Sequence, residues 1–401
     1  MVKLNKSLVN GSIILLVTFG IFNAFGYLFH LLMTRMLSVS EYGILAVLFS
    51  IIYILTLFSE SIQTVIAKYS ASESNSGKLK NIFKKTLRKG FLGASLLFIV
   101  YAIASVFLSS ILDISYSLLL LNGLIIFTIF LMPIGRGVMQ GRRMFLGLGI
   151  NMILEAVFKV GLSVLLVFIG WKVYGAIAGV ILATVLAFIF SFFQLKVILK
   201  AKEEKAHTEK IYQYTTPVFI IIFSVLIFFS LDVIIARIVF DSLTAGYYAI
   251  LSMLGKIIFF GTQPISKVMF PLSSEKKSIK DSENVFSSAI AIVIGLILGV
   301  LIVMFFFPEL LIKIFSGKVI PLELNILFIV GIAISLISLA NLSLLYKISV
   351  GKVKGAFYLP LFIIVEILLL TMFSDNLLQF SLAFVTSSAI LLWGSTILLR
   401  K

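Results

Sequence analysis

The chain has 401 residues, of which 61% are hydrophobic and 12% charged, with a mean hydropathy of +1.17. A water-soluble globule of that composition would have to expose large apolar patches, so lipid is the solvent for most of the chain. The formal charge of +16 would suit a nucleic-acid partner, but the cations fall in short loops between apolar runs without interleaved aromatics, which argues against it. The absence of cysteine excludes disulfides, thiolate metal sites and cysteine nucleophiles.

Lys3 and Lys6 precede an apolar run from Ser12 to Met33. The run is too long for a signal peptide and lacks a small-residue cleavage site, which marks it as a retained first span. Hydropathy and breaker residues predict six helices over 12–34, 43–66, 91–112, 116–136, 146–169 and 173–195. The widest charged break, Lys196 to Lys210, follows. Six more helices are predicted over 214–236, 245–267, 286–307, 321–345, 356–373 and 379–399. The expected organisation is an N-terminal six-helix lobe over 1–200, a cytoplasmic linker over 201–213 and a C-terminal six-helix lobe over 214–401.

With the N-terminus inside, only Arg35, Lys172, Arg237, Lys313 and Lys318 fall in outer segments, and Lys159 and Lys256 fall within spans. Every other lysine and arginine falls in an inner segment. By the positive-inside rule both termini are cytoplasmic, as expected for a multi-pass protein of the cell (plasma or inner) membrane with an even span count.

The halves match at several positions. Arg35 precedes Gly43 by eight residues and Arg237 precedes Gly246 by nine, while His30 and Asp232 each lie five residues before their arginine. Gly141 precedes Glu155 by fourteen and Gly351 precedes Glu366 by fifteen. These matches point to duplication. Two halves with an even number of spans insert the same way round. The expected fold is therefore all-α, about twelve transmembrane helices in two pseudo-symmetric six-helix lobes around a central cavity. Such an architecture suits a carrier.

The segment "LLMTRMLSVSEYGILAVL", with Arg35, Leu37, Glu41, Tyr42 and Gly43, resembles the first-hairpin signature of prokaryotic polysaccharide-synthesis membrane proteins. "GRGVMQGRRMF" followed by Asn151, Glu155 and Lys159 is similar to that family's fourth-to-fifth helix junction. "YTTPVFI", Asp232 and "AGYYAILSML" resemble its seventh and eighth helices. The resemblance is to the oligosaccharide flippase branch of the multidrug/oligosaccharidyl-lipid/polysaccharide exporter superfamily. It implies translocation of a polyprenyl-diphosphate-linked oligosaccharide from the inner to the outer leaflet. Membrane lipids and envelope glycan-assembly proteins are the further partners implied. Lipid II flippases of the same superfamily usually have two further helices, which this chain lacks.

An ionisable side chain in a span costs roughly 2.5–3.5 kcal/mol on insertion scales, so each marks a pathway or a pair. Glu155 and Lys159, one turn apart, are expected to share a face either as a cavity-lining pair, the lysine meeting a diphosphate and the glutamate exchanging a proton, or as a buried structural pair. Lys256 is a second candidate cation, for diphosphate or for Glu366, and Asn151 a neutral lining candidate. Glu366, with no basic neighbour within a turn, is a candidate coupling site beside Glu155. Arg35, Arg237, Asp232 and His30 near the outer ends are candidates for a gate or for local pairs. His207 falls in the charged linker as a solvated residue.

No nucleotide cradle, Walker sequence, histidine cluster, Gly-x-Ser-x-Gly or extramembrane paired carboxylates occur. The expectation is a transporter, with no metal and no cofactor, driven by an ion gradient, the membrane potential or the substrate's own gradient. A cation-coupled multidrug antiporter of the same superfamily is the alternative. An envelope polysaccharide polymerase or ligase is disfavoured by the short outer segments.

Overall fold

The computed structural model describes residues 6–206, 216–274, 279–320 and 325–398, and among them helix is the only regular structure. Hydrocarbon offers no water to backbone N–H and C=O groups, so each segment has to pair its own. Lys3, His207, Lys210, the linker residues from 207 to 213, Lys276, Lys277, Arg400 and Lys401 lie outside the described residues.

In the first half α1 covers Lys6–Met36, α2 Val39–Ser72, α3 Ser76–Leu112, α4 Tyr116–Gly141, α5 Phe145–Leu166 and α6 Lys172–Gln194. In the second, α7 covers Thr216–Val239, α8 Ser242–Ser274, α9 Ile279–Phe306, α10 Asn325–Ser349, α11 Leu359–Met372 and α12 Leu377–Leu398. Eleven segments are long and apolar enough to cross a membrane, and one of them runs 50 residues from Phe145 to Gln194. As one rod it would measure roughly 75 Å at 1.5 Å per residue, more than twice a hydrocarbon core. A π-helical turn over Val167–Trp171 breaks it instead. Gly170 there has a φ of 98°, which a side chain would resist. Beyond it α6 folds back along α5, and Ser163 Oγ donates to the Ala176 carbonyl at 3.0 Å. The eleven segments thus make twelve crossings among the described residues.

The clearest departure from the predicted boundaries is α3, which starts at Ser76 rather than near residue 91. Asn75 caps it, its side chain accepting from the N–H groups of Gly77 and Lys78 at 2.7 and 3.2 Å. At 37 residues α3 is about 55 Å long, so the basic stretch from Lys78 to Lys89 is helix continued beyond the hydrocarbon. The start of the linker lies along this end. Lys84 pairs with Glu203 at 2.7 Å, Asn81 Nδ2 donates to Glu203 at 2.8 Å, and Lys80 Nζ donates to the Ala201 carbonyl at 2.9 Å. Lys84 and Asn81 hold the Glu203 carboxyl below the usual carboxylate range. Further along, Phe91, Leu92, Leu96, Ile99, Val100, Ile103 and Phe107 are exposed, an apolar stripe fit for lipid.

The chain forms two compact units, Met1–Met33 with Leu55–Tyr214 and Thr34–Ile54 with Thr215–Lys401. The tip of the α1–α2 hairpin therefore belongs to the second unit. There two helix C-termini cap each other. Lys318 Nζ donates to the carbonyls of Thr34, at 2.7 Å, and Leu37 in the last turn of α1 and just beyond it. Arg35 donates in return to the Ile314 carbonyl of the short helix Pro308–Ser316, and Thr34 Oγ1 to the Phe315 carbonyl at 3.0 Å. Each cation meets the orphan carbonyls and negative dipole end of the other helix. Burial draws the Lys318 ammonium below the ordinary lysine range, and Glu41 opposes the shift.

In the same unit α2 opens on a capping box, with the Ser38 N–H donating to Glu41 and the Glu41 N–H to Ser38 Oγ at 2.9 and 3.2 Å. Asp241 caps α8, accepting from the N–H groups of Leu243 and Thr244. The two helices meet at the repeat-matched glycines. A Cβ on Gly43 would stand 2.9 Å from Gly246 Cα, and one on Gly246 would strike the Val39 carbonyl. Gly246→Val is therefore expected to destabilise the protein by about 1–3 kcal/mol, read as a lower Tm of the detergent-purified protein. Gly20→Ala, where a new Cβ has open space around it, serves as the control that does not lower it. Equal Tm values for wild type and Gly246→Val would contradict the close approach.

Candidate functional site

Each unit gathers its own charges. In the first unit, Asn151, Glu155 and Lys159 recur every four residues along α5 and share a face. Leu146, Ile150, Val157, Phe158 and Leu165 lie exposed on another. Arg136 was expected as the last residue of the helix over 116–136 and counted with the inner-segment cations; the helix continues to Gly141, and Arg136, within it, is the partner Glu155 takes. Its Nη2 pairs with Glu155 Oε2 and its Nε donates to Asn151 Oδ1 at 3.0 Å. The two side chains are 12% and 14% exposed. Asn151 is itself held, its Nδ2 donating to the Ala187 carbonyl at 2.9 Å and to Gln194 at 3.2 Å, while Gln194 Nε2 donates to the Gly147 carbonyl at 2.7 Å. A second amide link, Gln63 Nε2 to Gln140 Oε1 at 2.9 Å, joins α2 to α4.

The expected Glu155–Lys159 pair is thus joined by an arginine from the neighbouring helix, whose planar fork fits a carboxylate better than an ammonium does. Lys159 remains within electrostatic range of Glu155, and its Nζ lies 5.0 Å over the Phe29 ring of α1. His30, buried, sets its ring edge-on to Phe29 with centroids 5.2 Å apart.

In the second unit the partner of Asp232 is Lys256, at 3.0 Å, with side chains 0% and 3% exposed. Asp232 Oδ2 also accepts from Ser252 Oγ and from Tyr248 OH, the latter at 3.3 Å. Tyr248, Ser252 and Lys256 recur every four residues on α8, so one helix face supplies three donors to one carboxylate. The Lys256 ammonium also lies 4.8 Å over the Phe229 ring. Glu366, on α11, is fully buried and neither carboxyl oxygen has a hydrogen-bond partner. Asp232, Lys256 and Tyr248 lie within its electrostatic range. Burial of a lone carboxylate is costly. Arg237 is buried in the last turn of α7, and Arg35 is a helix cap, as described above.

The halves differ in one instructive way. With Gly141 and Gly351 in register, Tyr346 stands where the first half has Arg136, its ring stacked on Phe286 with centroids 4.2 Å apart, and with Glu155 and Glu366 in register Lys347 stands there, its Nζ donating to the Ser395 and Thr396 carbonyls. The first-half glutamate has an arginine and the second-half glutamate does not. Sequence reasoning missed Arg136, Tyr248, Ser252 and Phe229. The available signals were the four-residue spacing of Asn151 and Glu155 facing an arginine-bearing helix end, and two hydroxyls one and two turns before Lys256. Among the described residues no group of three or more His, Asp or Glu stands together as a metal site.

The sequence matches the family model described as polysaccharide biosynthesis protein over residues 32–319. No curated protein matches it. Among solved structures, the chain is similar to an inward-facing multidrug resistance MATE family transporter of the MOP superfamily, with a TM-score of 0.74 and 13% identity over 94% of each chain. It is also similar to a MOP superfamily transporter from Pyrococcus furiosus, described as having a binding pocket of reverse polarity that suggests a different function. That match has a TM-score of 0.65 and 15% identity over 98% of this chain and 96% of the other. An outward-facing MATE family transporter matches with a TM-score of 0.67 and 12% identity over 97% and 94% of the two chains. At such identities the likeness is one of fold.

The buried Asp232–Lys256 pair yields a direct test. Asp232→Asn strands an ammonium in the second unit and is expected to cost about 3–5 kcal/mol, seen as a large fall in Tm. Combining it with Lys256→Met should restore most of the loss. A Tm unchanged by the single substitution would show that the two groups do not depend on each other.

Proposed function

Because the chain belongs to the family of polysaccharide biosynthesis proteins, we propose that it is a flippase carrying a polyprenyl-diphosphate-linked oligosaccharide from the inner to the outer leaflet by alternating access. The observation that carries the proposal is the family match over residues 32–319 on a chain whose fold is that of MOP superfamily transporters. The protein works in the cell membrane with both termini cytoplasmic, without a cofactor and without chemistry on its substrate, alongside the proteins that assemble the envelope glycan.

Such a substrate makes modest demands on charge. Its prenyl tail stays in lipid and its hydroxyls need neutral polar partners such as Gln63, Gln263 and Asn341. Only the diphosphate needs cations. Lys159 is the cation we assign to it, on the half-buried stripe shared with Asn151 and Glu155. Lys256 already faces Asp232 at 3.0 Å, and in this reading it steadies a coupling site formed with Glu366. That carboxyl exchanges the coupling proton as the lobes rock.

A cation-coupled multidrug antiporter is the second reading, supported by the likeness to MATE family transporters. A polymerase or ligase is disfavoured because the longest outer segment forms a nine-residue helix, Pro308–Ser316, occupied in capping α1.

Reconstitution in liposomes with a lipid-diphosphate oligosaccharide separates these readings, scored by access of an external glycan-binding probe. Wild type should expose the glycan outside. Lys159→Ala should slow transfer roughly tenfold or more, the scale of a lost charge-assisted contact. Glu366→Gln should abolish its dependence on a proton gradient. Absence of transfer by wild type, together with proton-linked efflux of cationic dyes, would favour the antiporter.

A further inference from the structure

Arg136 is the most firmly positioned cation of the first unit, and its geometry is that of an anion site already holding a stand-in. A guanidinium presents five N–H donors in a fixed plane. Here Nε is spent on Asn151 and Nη2 on Glu155. Among the described residues Nη1 donates no hydrogen bond, and the side chain keeps 12% of its surface exposed. The plane is fixed from behind by a relay of amides: the Gly147 carbonyl holds Gln194, Gln194 and the Ala187 carbonyl hold Asn151, and Asn151 holds Arg136. Orientation of a ligating group by such supporting hydrogen bonds is how binding sites are kept ready.

We propose that Arg136 is a diphosphate-binding group and that Glu155 is an internal carboxylate occupying the place of a phosphate until substrate arrives. The proposal rests on the flippase reading and deepens it. Carboxylate and phosphate oxygens suit the same fork of N–H donors, so one can replace the other without disturbing the arginine. With no substrate bound, Glu155 neutralises Arg136 and makes a cation tolerable at this depth. When a diphosphate takes the arginine, the displaced carboxylate keeps Lys159 one turn along the same helix, within electrostatic range. The phosphate then has Arg136 and the displaced Glu155 has Lys159, so no group is left without an opposite charge. In the second half the matching positions hold Tyr346, stacked on Phe286, and Lys347, whose ammonium donates to the Ser395 and Thr396 carbonyls, so there is no guanidinium fork and no hydrogen bond from either to Glu366. Diphosphate capture therefore belongs to the first unit alone.

The test uses the purified full-length protein in nanodiscs and inorganic pyrophosphate as probe, followed by calorimetry at constant pH and low salt. Glu155→Gln removes the competitor and should tighten pyrophosphate binding by roughly tenfold. Arg136→Gln should abolish it. The double substitution Arg136→Gln/Glu155→Gln, neutral overall and so free of a stranded carboxylate, should also fail to bind, showing that Glu155 acts through Arg136. Unchanged or weaker binding by Glu155→Gln, or retained binding by the double variant, would overturn the proposal. Lipid-linked glycan transfer by the same proteins separates the two levels. Wild-type transfer by the double variant removes the site and leaves the flippase. The expected binding pattern without any transfer by wild type sustains the site and removes the flippase.

Discussion

Hydrocarbon does not tolerate a charge without a partner, and nearly every informative feature of this protein follows from that constraint. It drives most of the 33 lysines and arginines into loops and helix extensions, the bias from which an orientation of the spans is expected. It requires those that stay at depth to be matched locally: Glu155 by Arg136 in the first unit, Asp232 by Lys256 in the second. It also governs the helix ends. At the tip of the first hairpin, Arg35 and Lys318 each neutralise the carbonyl end of the other's helix and so spend their charge on backbone.

The same constraint makes the differences between halves meaningful. Duplication leaves Gly43 and Gly246 at equivalent positions, where they touch, and leaves a glutamate on the fifth helix of each half. The charges around those glutamates then diverge. The first half keeps an arginine and adds a lysine one turn on, a basic setting suited to an anionic headgroup. The second half has Tyr346 and Lys347 where the arginine would stand, the lysine bonded to helix carbonyls, and Glu366 lies within electrostatic range of an Asp232–Lys256 pair. On the proposed reading, the first half would hold an anion and the second would respond to a cation.

Much of the architecture was legible in the sequence because it depends on local signals. Apolar runs of span length mark the helices, and Gly170 between two such runs marks the reversal from α5 to α6. What was not legible depends on length or on distance. Hydropathy detects only the part of α3 within hydrocarbon, so the four turns from Ser76 to Lys89, capped by Asn75 and lined with lysines, read as a loop. Arg136 read as the end of the fourth helix for the same reason, since a charge after an apolar run looks like a boundary. The pairing of Asp232 with Lys256 spans two helices, and the proximity of Arg237 in sequence suggested a nearer partner. The packing of the α1–α2 tip into the second unit follows from backbone contacts that leave no trace in composition.

If charge placement orients the spans, the two ends of α3 lie on opposite sides of the membrane. α3 connects a lysine-rich end to an acidic end at Asp113, and the natural absence of cysteine permits one label at a time. Lys84→Cys and Asp113→Cys, each exposed in the structure, can be treated in intact cells with a maleimide that does not cross membranes. Asp113→Cys should react at once and Lys84→Cys only after the membrane is opened. Labelling of both from the same side, or in the reverse order, would contradict the orientation and with it the direction of transport.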